Sequence, residues 1–159
     1  MAAFQRICCP IDFSAASREA LDIAADLARR YGAGLTVLHA TSAQWPGPEF
    51  PAAPAPETEG QGDAGALAAW VAEVERTLGK PVSSVLLSSP IADAILSFAR
   101  DFGTDLIVMS SHGRAGWSRL VQGSVAEAVA RSAPCPVLIV RRKEGQGTTG
   151  AGDMDGMPA

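Results

Sequence analysis

The chain has 159 residues, 47% apolar and 19% charged, with a net charge of −4, which describes one globular domain and excludes a disordered or fibrous chain. The longest apolar runs, such as Val137-Leu138-Ile139-Val140, fall far short of the roughly 18 residues a membrane helix requires, and Met1 to Arg6 show no basic-then-apolar leader. Neither a membrane nor a nucleic acid is therefore expected as a partner.

The first element is Arg6-Ile7-Cys8-Cys9-Pro10-Ile11, a short apolar run that reads as a buried strand. Its two adjacent cysteines and Cys135 make neither a disulfide framework nor a zinc ligand set, and a reducing, cytoplasmic setting fits them. Such thiols serve more often as small buried hydrophobes than as nucleophiles. Ser14 to Tyr31 follows as a helix, with Leu21, Ala24, Ala25, Ala28 and Tyr31 on one stripe, a serine cap before it and Gly32 after it. Leu35 to Ala40 is a second strand, with His39 a packed residue near its end.

Residues 41–65 carry five of the eleven prolines, four glycines and no base, and read as a long disordered insertion. Leu67, Trp70, Val71, Val74 and Leu78 then form the stripe of a second helix, which Gly79 stops. Val82 to Leu87 is a third strand. Ser89-Pro90 reads as a cap followed by proline at the first helical position, opening a third helix through Phe102 that Gly103 closes. Asp105 to Met109 is a fourth strand, Ser124 to Ser132 a fourth helix, and Val137 to Val140 a fifth strand. Residues 144–159 hold five glycines and read as a flexible tail. The domain is thus expected over 1–143, with the insertion at about 41–65 inside it.

The order β-α-β-α-β-α-β-α-β, with continuous apolar strands, predicts an α/β fold: an open, five-stranded parallel sheet with helices on both faces. In such sheets ligands sit beyond the carboxyl ends of the strands, where the strand order reverses. Two features lie at strand ends. Asp12 follows the first strand, where a carboxylate accepts hydrogen bonds from ribose hydroxyls or an adenine amine, or else caps the helix that follows. After the fourth strand comes Ser110-Ser111-His112-Gly113-Arg114-Ala115-Gly116, and later Gly123-Ser124 at the start of a helix. Glycines let a backbone approach a bulky anion, and free N–H groups at a helix start point towards it. Serine hydroxyls and Arg114 add donors and charge. The bland account is a glycine-rich turn leading into a capped helix.

Charge admits two readings in the same way. Residues 107–143 hold six bases and one acid, which suits a phosphate-bearing ligand or simply gives an uneven surface. Gly145-Gln146-Gly147-Thr148-Thr149-Gly150 matches a dinucleotide pattern, yet no helix follows it, so it lacks a mechanism. There is no Walker sequence. Trp45 and Phe50 in the insertion are read as incidental.

These motifs resemble the universal stress protein family over residues 4–41 and 66–143. Cys9-Pro10-Ile11-Asp12-Phe13-Ser14 is similar to the family's first-strand signature. Val108-Met109-Ser110-Ser111-His112-Gly113-Arg114 with Gly123-Ser124-Val125 is similar to its nucleotide loop. Ala133-Pro134-Cys135-Pro136 resembles the family's lead into the last strand. The resemblance implies strand order 3-2-1-4-5, a homodimer paired through strand 137–140, and ATP, with magnesium in company, held between the ends of strands one and four. Residue by residue it implies that Asp12 holds the adenosine and that Pro10, Ile11 and Ala40 line the base. Met109 flanks the nucleoside, while Ser110, His112, Gly113, Arg114, Gly123, Ser124 and Val125 surround the ribose and phosphates. The departure is Ser110, where nucleotide-binding members have glycine. At positive φ a serine there costs about 1 kcal/mol or more; at negative φ its hydroxyl is an added donor. The implied function is an adenine-nucleotide sensing or signalling module. A slow ATPase and an interaction protein without nucleotide are the other readings on the same fold.

Overall fold

A computed structural model describes residues 3–41, 58–111 and 124–141. The described chain runs β1 (Arg6–Ile11), α1 (Ala15–Tyr31), β2 (Gly34–Thr41), α2 (Thr58–Leu78), β3 (Ser83–Ser88), α3 (Ile91–Asp101), β4 (Leu106–Ser110), α4 (Ser124–Ser132) and β5 (Val137–Val140). The strands form one sheet in the order β3-β2-β1-β4-β5, parallel throughout, as expected.

Two cores flank the sheet because β1, β2 and β4 are buried on both faces. Ile7, Cys9 and Ile11 pack with Leu21, Val37 and Val108 beneath α1 and α2. Cys8 packs with Leu38, Ile95, Ile107 and Val129 beneath α3 and α4. Successive strand residues point to opposite faces, so the adjacent cysteines serve different cores.

Helix ends follow local chemistry. Ser14 caps α1, its Oγ accepting the Ser17 amide at 3.1 Å, and Gly32 ends the helix at φ 67. That left-handed geometry favours glycine. The third helix differs from expectation: Pro90, not Ser89, occupies the cap position, with φ −50 and ψ 130 and no side-chain cap bond. The larger difference is α2, which begins at Thr58 inside the segment read as insertion, while Thr41 belongs to β2. Glycine and proline content hides this helix start from composition alone. Residues 42–57, the 144–159 tail with its glycine pattern, Trp45 and Phe50 lie outside the described residues. Tyr31, read as part of the core stripe, is 46% exposed and meets Phe4 edge-on.

At the amino ends of the strands, Asp105 ties β1 to β4. Its carboxylate accepts the amides of Gln5 and Arg6, at 2.8 and 3.0 Å, and its own amide donates to the Arg6 carbonyl at 3.0 Å.

Candidate functional site at the carboxyl ends of β1 and β4

The strand order reverses between β1 and β4, the place where parallel sheets of this kind offer a crevice to ligands. The register pairs Ile7 with Leu106 and Cys8 with Ile107. Asp12 follows β1 directly, and Ser110 ends the neighbouring β4 with Ser111 after it. Asp12 Oδ1 accepts the Ser14 amide at 3.0 Å, and the Asp12 amide donates to Ser17 Oγ at 3.4 Å. The carboxylate therefore helps shape the turn into α1, and it does so at the crevice.

Across from it, Ser110 ends β4 opposite Val140, half-buried. Its φ is not positive: Phe13, at φ 61, is the one non-glycine residue with a positive φ among those described. Serine thus costs no left-handed strain at this position. The Ser111 amide donates to the Val140 carbonyl at 3.1 Å, while Ser111 Oγ is buried without a hydrogen-bond partner among the described residues. A buried hydroxyl left unpaired costs about 1–3 kcal/mol.

The other expected residues divide by face. Pro10 is buried in β1, and Ile11 packs beneath α1 and α2 with its carbonyl oxygen 2.8 Å from His39 Nδ1. Ala40 and Met109 are buried together on the α3/α4 side, with Val125 packed against the same cluster. Ser124 is exposed as the first residue of α4, where unpaired amides start the helix. His112, Gly113, Arg114 and Gly123 lie outside the described residues.

Sequence reasoning missed the cluster beside Asp12. The Phe13 ring lies 4.5 Å from His39 and meets Trp70 edge-on at 5.4 Å. His39 Nε2 faces Asp63 Oδ2 at 3.5 Å. Arg18 covers Trp70 at 5.3 Å and pairs with Glu73 at 2.8 Å. That hydrogen bond holds the Glu73 carboxyl below its ordinary range. The sequence signal was an isolated acid, Asp63, four residues before the apolar stripe of α2. A surface groove between α1 and α2, lined by Arg18, Asp22, Asp26, Arg29, Val74 and Leu78, shares Arg18 with this cluster, and both its arginines are ion-paired.

The chain matches the universal stress protein family over residues 3–141. It belongs to that family. A universal stress protein of Mycobacterium tuberculosis is 33% identical over 138 residues, covering 82% of this chain and 43% of that protein. The chain spans less than half the length of the first curated relatives it matches. Among solved structures, the universal stress protein UspA from Lactobacillus plantarum shares the fold with a TM-score of 0.76 at 24% identity, covering 89% of this chain and 100% of that one. A universal stress protein in complex with cAMP aligns with a TM-score of 0.66 at 24% identity, covering 87% and 98% of the two chains. One from Archaeoglobus fulgidus in complex with dAMP aligns at 0.63, with the same identity and coverage.

Proposed function

We propose that this family member binds adenine nucleotides, ATP among them, and works as a sensing or signalling module. The observation that carries the reading is the placement of Asp12 after β1 and of Ser110 and Ser111 at the end of the neighbouring β4, where the strand order reverses and the Ser111 hydroxyl is buried with no hydrogen-bond partner among the described residues. In this reading Asp12 accepts from the adenosine, and the serines and the α4 start donate to phosphate oxygens. That the same fold holds cAMP in one relative and dAMP in another supports adenine as the base. Magnesium travels with the phosphates: among the described residues no group of three or more histidines, cysteines or acids is placed to hold a metal.

Efficient hydrolysis needs a positioned base and metal ligands at the γ-phosphate. His112 is the loop's one titratable candidate, so we assign binding and not turnover. We assign the module to the cytoplasm on its three free cysteines, and we propose a homodimer through β5. The described helices include none long and apolar enough to cross a membrane.

Calorimetry with magnesium present tests the reading. ATP binds more tightly than GTP, and Gly123→Val abolishes binding in a folded protein because a β-branched side chain fills space before α4 that phosphate needs. No ATP binding by the wild-type chain refutes it and favours an interaction protein.

A further inference from the structure

Asp12 is gripped on both sides by one side chain. His39 Nδ1 lies 2.8 Å from the carbonyl oxygen of Ile11, the residue before it. The His39 ring lies 4.5 Å from the ring of Phe13, the residue after it. Phe13 holds a φ of 61, a geometry that a bulky side chain keeps only where its surroundings over-determine it. Those surroundings are His39 and, edge-on, Trp70 of α2. A carbonyl oxygen only accepts, so Nδ1 carries a hydrogen, and Asp63 Oδ2, also on α2 and 3.5 Å from Nε2, pairs with the ring when Nε2 carries one as well. Helix α2 therefore reaches the Asp12 turn by one polar and one aromatic route. His39 itself is buried.

We propose that His39, braced by Asp63, is a positioning residue that sets Asp12 for its nucleotide, and that α2 is the element that responds to occupancy. The inference rests on the nucleotide reading above and deepens it. Holding the backbone before and after Asp12 leaves its carboxylate few orientations, so less freedom is lost on binding. Linkage makes the effect reciprocal: whatever the docking of α2 adds to nucleotide affinity, nucleotide adds to the docking of α2. A histidine that merely fills the core would change stability and leave the affinity of the folded protein alone.

The test uses the full chain with ATP, and AMP in parallel, against wild type, Asp63→Ala, Asp63→Asn and Glu75→Ala. Glu75 sits on the same helix and accepts the Val82 amide at 2.8 Å, away from the site. Asp63→Ala weakens nucleotide binding about fivefold or more. Asp63→Asn, whose side-chain amide can donate to Nε2 or accept from it, retains part of the affinity. Glu75→Ala lowers the unfolding midpoint and leaves affinity unchanged. Amides of residues 64–72 exchange more slowly when ATP is added to wild type, and do not slow in Asp63→Ala. Equal affinities for wild type and Asp63→Ala, or an equal loss in Glu75→Ala, overturn this inference and leave the nucleotide reading standing. Exchange unaffected by ATP in a wild type that binds it overturns the role of α2. No nucleotide binding by wild type overturns both readings.

Discussion

The carboxylate of Asp105 accepts the amide of Gln5 at 2.8 Å, joining segments 100 residues apart in the chain. It accepts the Arg6 amide as well, so one side chain aligns the starts of β1 and β4. Both amides belong to backbone that the neighbouring strand does not satisfy at that point.

Asp105→Ala should lower unfolding free energy by about 1–3 kcal/mol, the range for hydrogen bonds to a charged acceptor and for amides left unpaired. Asp105→Asn should lose less, since it keeps one acceptor oxygen. Urea unfolding followed by circular dichroism measures both. Nucleotide affinity should not move in the folded variants, because the latch lies at the opposite end of the sheet from Asp12.

Ser110→Gly should weaken ATP binding by about 0.5–1.5 kcal/mol, one ordinary hydrogen bond. Ser110 does not hold a positive φ, so glycine relieves no strain there and removes a hydroxyl. Titration calorimetry decides it: tighter binding by the glycine variant would mean that the side chain crowds the ligand.

The thiols should react in order of burial. Burial first, and the neighbouring Cys135 second, push the Cys8 thiol from its ordinary 9.0 up to about 12. Burial drives Cys9 well above 9.0, and it raises the half-buried Cys135 less. Iodoacetamide at pH 8 should label Cys135 first, and Cys8 and Cys9 only on unfolding, as mass spectrometry of quenched samples would show. The raised thiols also set a stability trend. The unfolded chain loses these protons first as pH climbs. Their contribution is therefore complete below about pH 9 and is lost as pH rises towards 12. A urea midpoint that stays constant from pH 8 to 11 would contradict the burial of Cys8.

Leu138→Asp should give a monomer by light scattering at micromolar concentration. The fifth strand lies at the sheet edge, and Leu138 is 39% exposed on it. A four-residue edge with no charge inside the run invites pairing with a second copy. A carboxylate buried at that junction, unpaired, opposes it. An unchanged dimer would place the interface on another surface.

Sequence alone determined the order of elements, the parallel sheet and the two strand ends that matter. Those signals are local: uninterrupted apolar strands, helical stripes, serine caps and glycine stops. The α4 and β5 limits are read directly, and Asp12 follows β1, Ser110 ends β4 and Ser124 opens α4. Tertiary structure decided the rest. The start of α2 at Thr58 lies in glycine-rich sequence that conceals it, and the approach of Asp63 to His39 joins elements distant in the chain. The division of Cys8 and Cys9 between two cores follows from the pleat once helices cover both faces. The left-handed turn at Phe13 is costly in isolation, so no propensity announces it. It exists because His39 and Trp70 hold the ring from two other elements, and energy supplied by distant partners leaves no mark in the local sequence.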